Sequence, residues 1–276
     1  MEIATRLQID QFLETLAAAG QRLLMLDYDG TLAPFQTERN KAHAYPGIGE
    51  ILQEISKCGR TRVVIVSGRD VNELHQQIGL HPSPELWGLY GMQRRRPNGE
   101  VQTTRIDQTH VDALADAGRW LDYQQLRRTA EIKTGSIAAH WRGMAKSEAD
   151  EMRGRVRLGW ELIAARSGLE LLEFDGGIEI RAPGVNKGDV VRALLVEEGA
   201  KVTAAYMGDD SSDEAAFRAL GDRGLTVLAR PQWRPTAARL WLRPPEEVLE
   251  FLKKWLSACR EDSAKGGTAA MTMNIH

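Results

Sequence analysis

Residues 23–31 read Leu23-Leu24-Met25-Leu26-Asp27-Tyr28-Asp29-Gly30-Thr31, an apolar run that ends in two carboxylates spaced two apart. A continuous apolar run this short suits a strand covered on both faces rather than one that alternates between core and solvent. Similar runs occupy residues 62–66, ending at Ser67 and Gly68, residues 204–207, ending at Gly208 and Asp209, and residues 225–228. Stretches with helical periodicity separate them. Strands that alternate with helices imply right-handed crossovers and an α/β fold with a mostly parallel sheet. Ligands of such sheets bind beyond the carboxyl ends of the strands, so the polar residues at those ends are the ones to examine for chemistry.

Between residues 107 and 183 the pattern changes. A helix is expected over 110–127, one long strand over 131–141, and a helix over 147–166 with Ser147 as its N-cap. Two further strands, 169–174 and 178–181, are joined by the turn signal Asp175-Gly176-Gly177. This stretch predicts an inserted α+β cap over 107–183, set into a core made of residues 1–106 and 184–260, with 261–276 as a loose tail. The first two dozen residues carry acids among their apolar positions, which fits a short amphipathic helix and not a secretory signal or a membrane span.

The 276 residues are 42% hydrophobic and 27% charged, with a formal net charge of -2. That composition supports a substantial core and gives no electrostatic reason to bind nucleic acid or an anionic membrane. Any anion must be held by a local site. Cys58 and Cys259 lie far apart in sequence and no Cys and His cluster has metal-ligand spacing, so neither a disulfide framework nor a zinc site is indicated, and a reducing cytoplasm is the simplest compartment.

The segment Gly208-Asp209-Asp210-Ser211-Ser212-Asp213-Glu214 places four acids in seven residues at a second strand end. Acids this dense repel one another, and a hard divalent cation such as magnesium is the simplest partner that stabilises them. Taken alone, each acidic cluster also fits an Asx turn or the acidic start of a helix. Two at the rim of one sheet favour a metal. Carboxylates alone would repel a phosphate, so groups of opposite character are required. Ser67-Gly68-Arg69 is expected to open one helix and present a hydroxyl with helix N-terminal amides, and Lys187 opens another and supplies a compact ammonium.

In this order the residues resemble the four motifs of the haloacid dehalogenase (HAD) superfamily of phosphotransferases, whose core is a Rossmann-like sheet, and the insert resembles that superfamily's C2-type cap. The resemblance implies that Asp27 is the nucleophile and Asp29 the general acid and base. It implies that Ser67 and Lys187 hold the phosphoryl group, and that Asp27, the backbone carbonyl of Asp29 and Asp209 ligate Mg2+, with Asp213 assisting. Within the superfamily the chain is most similar to trehalose-6-phosphate phosphatases. The similarity rests on Gly88-Leu89-Tyr90-Gly91-Met92-Gln93, the hairpin Arg94-Arg95-Arg96-Pro97-Asn98-Gly99, Lys133, His140-Trp141-Arg142, Glu179-Ile180-Arg181-Ala182-Pro183, and the acidic segment itself. Two positions depart from that pattern: Trp141 stands where the family has tyrosine, and Ala182 intervenes before the proline.

This closer resemblance implies a magnesium-dependent phosphoric monoester hydrolase acting on trehalose 6-phosphate. Lys133, His140, Arg142, Glu179 and Arg181 would grip the sugar, and Thr31, Gly68, Arg69 and Asp210 complete the expected substrate-binding set. Arg94 to Arg96 read as a solvated hairpin and Trp141 as cap core. A small-molecule sugar phosphate is the expected ligand, the chain is expected to be a monomer, and a trehalose-phosphate synthase is the implied protein partner. Two alternatives stand beside this reading: a phosphatase of sucrose phosphate or a glycosyl-3-phosphoglycerate, and a non-catalytic sugar-phosphate sensor.

Overall fold

The computed structural model describes residues 3–36, 41–174, 176–183 and 186–271, with side chains described from 6 to 260. From the N-terminus, helix α1 (Ile3–Ala18) leads into strand β1 (Arg22–Leu26), followed by α2 (Ile48–Lys57), β2 (Thr61–Val66), α3 (Val71–Ile78), β3 (Glu85–Gly88), β4 (Gln93–Arg95) and β5 (Val101–Thr103). The chain continues through α4 (Gln108–Tyr123), β6 (Ala130–Lys133), β7 (Ser136–His140), α5 (Lys146–Ser167), β8 (Glu170–Phe174) and β9 (Gly177–Arg181). It ends with α6 (Lys187–Glu198), β10 (Thr203–Gly208), α7 (Glu214–Leu220), β11 (Gly224–Ala229), β12 (Leu240–Leu242) and α8 (Glu246–Met271). Contacts divide it into two units, residues 1–101, 187–209 and 213–276 in the first and residues 102–186 and 210–212 in the second.

The first unit is built on an eight-stranded sheet in the order β12-β11-β10-β1-β2-β3-β4-β5. Strands β12 to β3 in that order pair in parallel, and β4 turns back antiparallel to β3. Side chains alternate between the two faces, and both faces are covered. Leu24, Leu26, Val63, Ile65, Ala205 and Met207 enter a core shared with α2, α3 and α8. Leu23, Met25, Val64, Val66, Ala204 and Tyr206 enter a second core, shared with α6 and α7. This explains why the strands read as unbroken apolar runs. Register then sets the rim: Leu26 pairs with Met207 on one side and Ile65 on the other, so Asp27, Asp209 and Ser67 follow at adjacent strand ends.

The second unit is a four-stranded antiparallel sheet, β6-β7-β9-β8, with α4 and α5 on one face. Ile137, Ala139, Ile178 and Ile180 pack there against Ala113, Leu114, Ala117, Leu121, Met152, Val156 and Trp160. Trp141 packs against this core as expected. Among the described residues no helix is long and apolar enough to cross a membrane.

Several local expectations are corrected. The stretch read as one strand over 131–141 is a hairpin, β6 and β7, because Thr134 and Gly135 turn the chain and Gly135 takes the left-handed φ of 81°. Helix α5 starts one residue earlier than expected, with Ala145 and not Ser147 at the N-cap. Helix α3 starts at Val71, where the Asp70 carboxylate accepts from Asn72 N, so Ser67 does not sit at a helix N-terminus. The backbone of α8 runs through the expected loose tail to Met271, since extending an existing helix costs far less than nucleating one. Residues 272–276, Asp175, Gly184 and Val185 lie outside the described residues.

The basic hairpin read as solvated is not so at Arg94. Its guanidinium lies 4.8 Å from the Trp87 ring and pairs with Glu85 (2.8 Å) and Glu197 (2.7 Å). Arg62 joins the same carboxylates and Glu198, so one network ties α6 to β2, β3 and β4.

Candidate active site

The rim of the first unit's sheet gathers three buried acids and one buried ammonium. Asp27, the first residue beyond β1, is 4% exposed, and its N–H donates to Met207 O at the end of β10. Lys187, the first residue of α6, sends its Nζ to Asp27 Oδ1 (2.7 Å) and Asp213 Oδ1 (2.8 Å). Asp213 is held further by the Tyr206 hydroxyl (2.7 Å) and by Asp209 N on its other oxygen (3.1 Å). Ligand oxygens of Asp27, Asp209 and Asp213 lie within 4.8 Å of one another. Thr31 Oγ1 donates to Asp27 Oδ2 at 3.4 Å.

Two glycines make this convergence sterically feasible. Gly30 has φ of 83°, and a β-carbon there would run into the Asp209 carboxylate. A β-carbon at Gly208 would meet the Asp213 carboxylate. Only glycine combines that turn with so close an approach.

Burial and charge shift the groups in the directions expected of crowded acids. Burial is the main cause that lifts Asp27 to about 7; Lys187 pulls it back and Asp213 pushes it higher. Burial lowers Lys187, but the attraction of Asp213 and Asp27 outweighs it and the ammonium is held above its ordinary value. Burial, then Asp213, raises Tyr206 well above a free phenol, so it serves as a neutral donor. Three carboxylates face one ammonium, and all are hard oxygen donors. That donor set fits a small hard divalent cation, which binds carboxylates and carbonyls.

Ser67, the first residue beyond β2, is buried; its N–H donates to Trp87 O and its Oγ accepts from Arg69 N at 3.2 Å. The backbone bond consumes a lone pair of the hydroxyl, which leaves its hydrogen to donate elsewhere. Gly68, expected to touch substrate, makes room for the Tyr90 ring, whose atoms would clash with a β-carbon. Arg69 is engaged by neighbouring carboxylates. Its Nε and Nη2 take both oxygens of Asp29 (2.7 and 2.6 Å) and its Nη1 takes Glu73 (2.6 Å), so the guanidinium faces two carboxylates. Asp210 caps its own turn, accepting from Ser211 N at 2.6 Å.

In the second unit the expected sugar-gripping residues share the helix-free face of the sheet. Register places Lys133 opposite Ser136, Glu131 and Glu179 opposite Ala138, and Arg181 opposite Ser136. Glu179 is fully buried, accepts from Ser136 Oγ and from Lys133 Nζ (3.4 Å), and its Oε2 has no hydrogen-bond partner among the described residues. His140 meets Glu131 at 3.0 Å and packs edge-on to Phe174, over which Arg142 also lies. Arg181 pairs with Glu170 at 3.0 Å.

Sequence reasoning missed Tyr206, which its apolar strand disguises, and the arginines of the segment after β11. Arg230 and Arg234 both approach the Asp209 carbonyl, at 3.4 and 3.3 Å, and Arg234 also pairs with Glu214 at 2.6 Å. Their only signal is position, just past a third parallel strand end.

The chain is similar to known proteins in sequence and in fold. The family described as trehalose-phosphatase matches residues 25–237. Trehalose-phosphate phosphatase of Mycobacterium tuberculosis is 29% identical over 258 residues, covering 88% of this chain and 63% of that protein; the chain thus spans under two thirds of the mycobacterial relative. The trehalose-6-phosphate phosphatase C-terminal domain of C. albicans superposes with a TM-score of 0.77 over 90% of this chain and 96% of that one, at 22% identity. A haloacid dehalogenase-like hydrolase from Bacteroides thetaiotaomicron shares the fold at a TM-score of 0.61, 16% identity, covering 85% and 99% of the two chains.

Proposed function

The chain belongs to the trehalose-phosphatase family, and on that premise we propose that it hydrolyses trehalose 6-phosphate to trehalose and phosphate, with Mg2+ bound at the acidic rim and Asp27 phosphorylated in passing. The observation that carries this reading is the buried cluster of Asp27, Asp209, Asp213 and Lys187 at the carboxyl ends of neighbouring parallel strands.

Each residue has a part that its surroundings suit. An Asp27 oxygen attacks phosphorus in line, forming the acyl phosphate bond as the phosphorus to sugar oxygen bond breaks. Asp29 gives its proton to the departing sugar oxygen. As a carboxylate it then takes a proton from the water that attacks phosphorus and frees Asp27. Lys187, beside the nucleophile, offsets charge on the phosphoryl oxygens, and the Ser67 hydroxyl donates to one of them. Magnesium held by Asp27, the Asp29 carbonyl and Asp209, with Asp213 assisting, would neutralise phosphoryl charge when bound. In the second unit, Lys133, Glu179, His140, Arg142 and Arg181 bind sugar hydroxyls; the buried Glu179 Oε2 is an acceptor suited to one of them.

Phosphate release from trehalose 6-phosphate, sucrose 6-phosphate and glucosyl-3-phosphoglycerate, with magnesium and with a chelator, tests the reading. Magnesium-dependent turnover confined to trehalose 6-phosphate is expected. Turnover of another sugar phosphate with trehalose 6-phosphate untouched would refute the substrate, and tight binding without turnover of any would refute the activity.

A further inference from the structure

Arg69 is a heavily committed side chain near the rim. It is fully buried, and every part of it is fixed. Its N–H donates to Ser67 Oγ and its carbonyl accepts from Leu89 N at 2.8 Å. Its guanidinium carbon lies 5.6 Å from the Tyr28 ring, whose hydroxyl is tied to Ala42 O at 2.8 Å. The fork then grips Asp29 through two parallel bonds, and the remaining nitrogen is held by Glu73 on α3. A bidentate guanidinium pair fixes the plane of a carboxylate as well as its place, which a point charge such as lysine cannot do.

We propose that Arg69 is a positioning residue for the reaction: its fork fixes the plane of the Asp29 carboxyl, and when one Asp29 oxygen carries the proton for the departing sugar oxygen, the other keeps its bond from the guanidinium. The inference rests on the phosphatase reading and deepens it. The geometry also separates Arg69 from a phosphate ligand: its fork is directed at two carboxylates. An orienting arginine matters in proportion to how much the leaving group needs a proton. An alkoxide leaves poorly without one, whereas 4-nitrophenolate leaves unaided.

The test is the ratio of two kcat/KM values, each of which reports only the steps through departure of the leaving group. For Arg69→Gln, kcat/KM for trehalose 6-phosphate is expected to fall about 100-fold, and that for 4-nitrophenyl phosphate by less than about 3-fold. Arg69→Lys should recover little of the difference, because the charge returns without the fork. Should thermal melts show that replacing this buried side chain prevents folding, Glu73→Gln, at the half-buried partner, carries the same comparison with a smaller split in the same direction. Equal losses on both substrates, or no loss on either, would reduce Arg69 to a structural role and overturn the inference. A wild-type protein that cleaves neither ester would overturn the phosphatase reading itself, and the inference with it.

Discussion

At the scale of single residues, the rim is a balance of buried charge, and removing one member shows what it does. Asp27→Asn keeps the shape and loses the nucleophile, so turnover should fall by roughly 10⁴-fold or more with the melting temperature little changed; activity that survives in a verified variant would exclude a phosphorylated Asp27. Lys187→Ala has a second consequence. It leaves Asp27 and Asp213 buried without their shared ammonium, and breaking a buried pair from one side costs about 3–5 kcal/mol. Urea titration in chelator should show that loss, and an unchanged midpoint would mean that solvent reaches the acids. Gly30→Ala forces a side chain into a φ of 83° at about 1–3 kcal/mol and displaces the Asp209 carboxylate. Its magnesium affinity by calorimetry should drop at least tenfold, and an unchanged affinity would remove Asp209 from the ligand set. Asp27, Asp209 and Lys187 could be read from sequence because each ends or begins an element in a regular pattern. The grip of Arg69 on Asp29 could not, since it joins residues 40 apart through side chains whose direction no periodicity encodes.

At the scale of elements, the placement of α6 is the consequential feature, because its first residue is Lys187 and its last turn is anchored elsewhere. Glu197 and Glu198 near its end meet Arg62 of β2 and Arg94 of β4, with Glu85 of β3 completing the network. The sequence showed α6 and these strands, yet read Arg94 as solvated, since a charged hairpin residue gives no sign that a carboxylate from a distant helix covers it. The hydrogen bond from Arg94, opposed by partial burial and aided by Arg62, holds Glu197 down to about 2 against its ordinary 4.5. A carboxyl whose folded value lies below its unfolded one adds stability that is present above the unfolded value and disappears as pH falls through the folded value. The stability gap between wild type and Glu197→Gln should therefore be full at neutral pH and close between about 4.5 and about 2. Urea midpoints across that range measure it, and a gap independent of pH would show that Glu197 acts by packing alone. The hairpin of β6 and β7 escaped sequence reading for a related reason: Thr134-Gly135 lacks the Asn-Gly or Asp-Gly signature, and the apolar alternation runs on across it.

At the scale of the whole molecule, the chain holds two units with separate sheets and separate cores, and all three acids that meet at the rim belong to the first. The two kinds of sheet bury their faces differently, so the parallel strands read as unbroken apolar runs and the antiparallel ones alternate. Energetically, a ligand that binds one folded unit stabilises that unit by an amount set by its concentration over its dissociation constant, roughly 2.7 kcal/mol at a hundredfold excess. The described residues of the second unit contribute no carboxylate to the cluster, so they gain only what is transmitted to them. Scanning calorimetry with and without magnesium should then resolve two transitions, of which only the one assigned to the parallel-sheet unit moves upward. The assignment follows from Trp160→Phe, a substitution in the second unit's core that should lower the other transition alone. One cooperative transition that shifts as a whole with magnesium would mean that the two cores melt as a single thermodynamic body.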